Sequence, residues 1–192
     1  MADEKIEKVR EMSKKIYDMA GSQSPLLSDD EIENLIVRKG TLNEKERDII
    51  NDHVRVSRKM LESLPFPKKL KNVPLFAGMH HEKLDGSGYP DGLTGKEIPL
   101  QARILAVADV FEALTAADRP YKQGKKLSEV MRILKFMVKD DHLDGDLCDL
   151  IVESGVVRGY AEEGLKEWQK DDFEWNGKTY SYWKGDGEST AQ

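Results

Sequence analysis

The stretch PLQARILAVADVFEALTAA, residues 99–117, decides the fold. Pro99 is a good first helical residue because it lacks the N–H that a helix start leaves unpaired. The segment after it is apolar nearly all the way round, with Asp109 in its middle. A helix of that character is normally central and buried, so these residues predict a body of helices packed around this one.

Outward from this helix the punctuation is clear. Upstream, residues 85–99 are dense in Gly, Pro and Asp and read as a loop. Before it, a helix is expected from about 68 to 82, carrying Leu70, Val73, Phe76 and His80. The pattern Ile49, His53, Val56 or Ser57, Met60, Leu64 marks another, stopped at Pro65 and Pro67, with His53 pointing inward along the apolar stripe. Downstream, helices are expected at about 128–139, 145–154 (closed by Gly155) and 158–169. Residues 173–183 then alternate aromatic and polar around Asn176-Gly177, a hairpin signal. The expected class is all-α, a helical bundle with a small C-terminal β-hairpin.

At the other end, Ile6, Val9, Met12, Ile16 and Met19 form the stripe of one amphipathic helix over 3–20. Residues 21–25 break it, and Ser28-Asp29-Asp30-Glu31 reads as the capped start of a short helix ending before Gly40. This divides the chain into an N-terminal helix and linker (1–27), a main domain (28–156), and a C-terminal helix, hairpin and tail (157–192).

With 39% hydrophobic and 34% charged residues among 192, the composition fits one ordinary core with an appendage. A net charge of −6 argues against wide contact with duplex nucleic acid, which needs a field of Lys and Arg. No run of about 18 apolar residues suggests a membrane span, and the acidic start is unlike a signal peptide. The single cysteine, Cys148, cannot form an internal disulfide and sits among Leu147, Leu150 and Ile151 as a packed side chain. A cytoplasmic location is the expectation.

The residues able to carry chemistry are His53, His80, His81 and Asp109. Neutral imidazole and carboxylate suit iron, manganese or zinc. Adjacent histidines on a helix diverge by about 100°, so His80 and His81 would serve neighbouring ions rather than one. Each residue has a plainer reading: an ion pair for Asp109, a hydrogen-bonded core histidine for His53, and a helix-end surface pair for His80 and His81. Arg119 and Lys122, with Lys125 and Lys126 nearby, form a local basic patch suited to a small anion or simply a solvated turn. In the loop, Gly86, Gly88 and Gly92 admit tight turns and Pro90 stiffens them, whether for function or as a compact surface loop.

The run HHEKLDGSGYPDGL (80–93), then Ile98-Pro99, Ala102-Arg103-Ile104, ADVFEALT (108–115) and RPYK (119–122), resembles the HD-GYP family almost letter for letter. Lys39-Gly40-Thr41-Leu42-Asn43 and His53 fall where that family has a Gly-Thr-Leu turn and its next histidine. The resemblance covers roughly residues 28–155, making 28–156 a partial HD-GYP domain with an HD-domain-like helical bundle. It implies a metal-dependent hydrolase of cyclic di-GMP or a related cyclic dinucleotide. It further implies two or three divalent ions, iron or manganese, with His53, His80, His81 and Asp109 as ligands and Arg119 and Lys122 on the substrate phosphates. The loop bearing Asp85, Gly86, Gly88, Tyr89 and Pro90 would line the site and contact partners such as a diguanylate cyclase domain.

The family is named for a His-Asp doublet followed by Gly-Lys, and no His-Asp doublet, hence no Gly-Lys following one, occurs in these 192 residues; His142-Leu143-Asp144 is the nearest approach. No catalytic residue is therefore assigned. The expectation is a fragment whose parent carries the doublet upstream, with metal binding weak or absent and hydrolysis impaired in the chain by itself. The competing readings are a non-catalytic nucleotide-sensing or partner-binding module, and another HD-type phosphohydrolase acting on nucleotides.

Overall fold

The computed structural model describes residues 3–19, 21–38, 40–117 and 123–181. The chain divides into two compact units, Met1–His53 and Val54–Gln192. In the first, α1 (Asp3–Ser13) is followed by the antiparallel pair β1 (Ile16–Met19) and β2 (Ser22–Pro25), then α2 (Asp29–Leu35) and α3 (Glu44–Asn51). Both later helices open with a full capping box. Ser28 and Glu31 bond reciprocally at α2, and Asn43 and Glu46 do so at α3, pairing amides that a helix start leaves orphaned. Ile6 is the one buried side chain among the described residues of this unit, which is otherwise tied by exposed pairs such as Arg38–Asp3 at 2.7 Å and Lys45–Glu33 at 2.6 Å.

The division passes through the first turn of α4 (His53–Glu62), a continuous helix, so His53 is described with it. The second unit continues with a 3₁₀ turn (Lys68–Leu70), α5 (Val73–Ala77), the long loop, α6 (Leu100–Thr115), α7 (Leu127–Lys139), α8 (Gly145–Glu153) and α9 (Val156–Gly164). A second 3₁₀ turn (Glu167–Gln169) leads to the hairpin β3 (Phe173–Trp175) and β4 (Lys178–Tyr180). Its core joins Val107 and Phe111 of α6, Leu127, Met131 and Leu134 of α7, Val152 of α8 and Val157 of α9 to Phe173 and Trp175 of the hairpin. Each such side chain contributes about 1.5–3 kcal/mol on burial. The hairpin is locked by the Trp175 indole N–H, which donates to Asp149 at 2.7 Å, and by Phe173 stacked on Tyr180.

The all-α architecture with a terminal hairpin is as the sequence indicates, with local differences. The helix expected over 3–20 ends at Ser13, because Ile16–Met19 pairs with Ser22–Pro25 around Gly21, whose φ of +84° favours glycine. The helix expected over 68–82 is two short pieces, since Pro74 starts α5 afresh and the turn at Gly78 ends it. The segment after Thr41 breaks between α3 and α4, and its apolar stripe faces outward: Ile49 is 74% and Met60 66% exposed. His53 is exposed with it.

α6 is not buried on every side. Ala102, Ala106, Val107, Phe111 and Thr115 face the core, whereas Ile104 is 48% exposed and Asp109 is also exposed. Asp109 therefore escapes the burial cost that an apolar helix suggested. A groove of about 510 Å³ runs along this bare side, lined by Ile104, Phe111, Leu150, Val156 and Tyr160. It is almost wholly apolar and so unsuited to phosphate. Tyr182, Trp183 and the tail lie outside the described residues.

Candidate metal centre

His80 and His81 follow α5 in a turn rather than continuing a helix, so they do not diverge as successive helical residues would. Their rings lie 4.1 Å apart, centroid to centroid, tilted by 40°. One ligand-capable atom from each of His53, His80 and His81 lies within 4.8 Å of the others. Two of the rings are oriented by the backbone. His53 Nδ1 is 2.6 Å from the Ile50 carbonyl and His80 Nδ1 is 2.6 Å from the Ala77 carbonyl. A carbonyl only accepts, so each Nδ1 carries a proton, and Nε2 is the atom that the neutral ring would offer a metal. The donor set fits a divalent ion.

The Gly-rich loop folds back onto this turn. Glu82, directly after the histidines, is 3% exposed and accepts from the Asp91 amide at 2.7 Å and the Leu93 amide at 2.8 Å. Tyr89 N–H donates to the His81 carbonyl at 3.2 Å, and the Tyr89 ring stacks on the His81 ring at 4.9 Å. Gly88 lies against the backbone of Glu82 and Lys83 so closely that a Cβ would fall 2.5 Å from Glu82 Cα. From α4, Arg55 donates to the Pro90 carbonyl at 3.4 Å and Arg58 stands 3.6 Å from the Asp91 carboxylate. Ring, loop and turn are thus held as one piece. Burial, followed by the nearby charge of Asp109, pushes the Tyr89 phenol above its ordinary range, so it stays protonated at neutral pH.

At the loop's other edge, Asp85 accepts from the Ser87 amide at 2.8 Å and hydroxyl at 3.0 Å, which hold its carboxyl below the usual range. The Asp85 amide donates to the Asp141 carbonyl, and His142 Nε2 is 3.8 Å from its carboxylate. His142 is therefore a loop anchor between α7 and α8, outside the histidine group. Gly86 has a φ of +80°, the left-handed backbone its loop position demands.

Asp109 projects from α6 near Tyr89 but is not within the group formed by the three histidines. Arg119 and Lys122 lie outside the described residues. Sequence reasoning missed Glu82, which follows the histidine pair directly and whose partners are backbone amides of the loop.

A helical body bearing clustered histidines beneath a Gly-Tyr-Pro loop defines a class, and the family comparison agrees: the HD domain model matches residues 3–147. The chain belongs to the HD domain family, and its His-His-Glu turn and Gly-Tyr-Pro loop put it in the HD-GYP branch. It is similar to the 3′3′-cGAMP-specific phosphodiesterase 1 of Vibrio cholerae, 45% identical over 122 residues, covering 64% of this chain and 27% of that protein. Against the cyclic di-GMP phosphodiesterase response regulator RpfG of Xanthomonas campestris it is 37% identical over 127 residues, 66% of this chain and 31% of that protein. A cyclic di-GMP phosphodiesterase of Thermotoga maritima is 37% identical over 100 residues, 52% of this chain and 27% of that protein. The chain thus spans less than a third of these relatives. Among the described residues no helix is long and apolar enough to cross a membrane.

Proposed function

We propose that this chain is the GYP-bearing part of a metal-dependent phosphodiesterase acting on cyclic di-GMP or a related cyclic dinucleotide such as 3′3′-cGAMP. The observation that carries the reading is the convergence of His53, His80 and His81 beneath a loop clamped by Glu82. His53, His80 and His81, with Asp109, would hold the divalent ions, iron or manganese by the family resemblance. When bound, such ions neutralise charge developing on the phosphoryl oxygens and activate the attacking water. The chain's own residues orient the imidazoles through the Ile50 and Ala77 carbonyls and keep a neutral phenol, Tyr89, against His81. Arg119 and Lys122 are proposed to hold the phosphates, Arg as a fork and Lys as a point charge.

Because no His-Asp doublet stands in these residues, the chain by itself is proposed to bind metal weakly and to hydrolyse little. The test is hydrolysis of cyclic di-GMP and 3′3′-cGAMP, followed by chromatography of the products with manganese or iron supplied. Turnover should be negligible for this chain and restored when a His-Asp-bearing segment from a relative is fused before it. Turnover at a normal enzymatic rate by the chain alone would overturn the impairment. Tight nucleotide binding with no hydrolysis even in the fusion would favour the sensing module instead.

A further inference from the structure

We propose that Gln169, in the C-terminal segment beyond the stretch matched by the family model, is a positioning residue for the connection between α6 and α7. By sequence this connection carries Arg119, Lys122, Lys125 and Lys126. Its consequence for nucleotide binding rests on the phosphate-binding role proposed above for Arg119 and Lys122.

Gln169 ends the 3₁₀ turn after α9 and is 1% exposed. A carboxamide so deeply placed needs partners for both of its ends. Its Nε2 donates to the Thr115 carbonyl at 2.8 Å and to the Lys125 carbonyl at 3.1 Å, and its Oε1 accepts from the Lys166 amide at 3.3 Å. Thr115 is the last residue of α6, and Lys125 stands two residues before α7. One side chain therefore ties the two ends of the connection together. The Lys125 amide, donating to the Leu114 carbonyl at 2.9 Å, closes the same base from the backbone.

Two neighbours show that the approach is specific. Gly124 is buried where a Cβ would collide with the Thr115 carbonyl and fall 2.8 Å from Gln169 Nε2, so the connection passes this close only without a side chain. Two residues after Gln169, Asp171 accepts from the Ser128 amide at 2.8 Å and from its hydroxyl at 2.7 Å, anchoring the first turn of α7. Cations that must meet one anion bind it more tightly when the backbone carrying them is held in place beforehand. Gln169 supplies such a hold at the two described ends of that backbone, Thr115 and Lys125.

The test uses the full 192-residue chain and the variants Gln169→Met, which keeps length and volume but removes both donors, and Gly124→Ala, which forces the base apart from the other side. Trp175→Phe serves as a control that loses the bond to Asp149 in the hairpin and leaves the connection alone. Hydrogen exchange of the Lys125 amide, which is bonded to the Leu114 carbonyl, should speed up about tenfold or more in Gln169→Met and Gly124→Ala, and not in Trp175→Phe. Calorimetric titration with cyclic di-GMP should show binding weakened about tenfold in the first two, at unchanged manganese content.

Unchanged exchange in Gln169→Met overturns the positioning role. Faster exchange with unchanged affinity, while Arg119→Ala/Lys122→Ala loses affinity, overturns its consequence for binding and leaves the phosphate reading intact. Unchanged affinity in Arg119→Ala/Lys122→Ala sinks the phosphate reading itself, and exchange alone then decides for or against Gln169.

Discussion

Replacing Glu82 by alanine should loosen the Gly-Tyr-Pro loop by an amount that follows from its bonds. The carboxylate accepts from the amides of Asp91 and Leu93 at 2.7 and 2.8 Å. A hydrogen bond to a charged group contributes about 1.5–3 kcal/mol, and solvent screens a side chain this buried very little. Asp91 itself is exposed, so its amide regains water once the carboxylate is gone, and the expected loss falls to about 2–4 kcal/mol. A glutamine side chain at this position keeps one acceptor but turns an NH₂ toward a donor, so Glu82→Gln should lose about half as much. Urea unfolding followed by the fluorescence of Trp168 and Trp175, which lie in the same unit, measures both. A loss under about 0.5 kcal/mol in Glu82→Ala would refute the clamp.

Asp85 gives a pH-dependent counterpart. Its carboxyl is held below the ordinary value first by the Ser87 amide and then by the Ser87 hydroxyl, so its contribution to the loop is present above the ordinary carboxylate range and lost as pH falls below about 4. Ser87→Ala, which keeps the amide but not the hydroxyl, should move its titration part of the way back up, read by carboxyl-carbon NMR; an unmoved titration would contradict the bond. For Cys148, burial pushes the thiol up to about 12, so the native chain at pH 8 should react with a thiol reagent at under about 1% of the rate in urea. Equal rates would mean that the α8 core opens readily.

What could be read in the sequence was whatever side-chain pattern dictates. The period of α7 and α8, the Ser28 capping box and the Asn176-Gly177 hairpin are all stated by residue type. The three histidines also stood out, and they converge. The rest depends on tertiary choices that periodicity does not encode. An apolar stripe says that a face can be buried, not that it is, and the stripe through Ile49 and Met60 lies bare. The His80-His81 pair comes together because a turn replaces the helix that its neighbours suggested. Glu82 and Gln169 escaped notice because their partners are backbone amides and carbonyls, which every residue carries and none advertises.

The central claim is that His53, His80 and His81 form a metal site. The measurement is calorimetric titration of manganese into the chelator-stripped chain and into His80→Ala/His81→Ala, with elemental analysis of both proteins purified without chelator. Weak but saturable binding in the unmodified chain, lowered at least about tenfold in the double variant, is the predicted result. Equal binding by both proteins, or none by either, would contradict it.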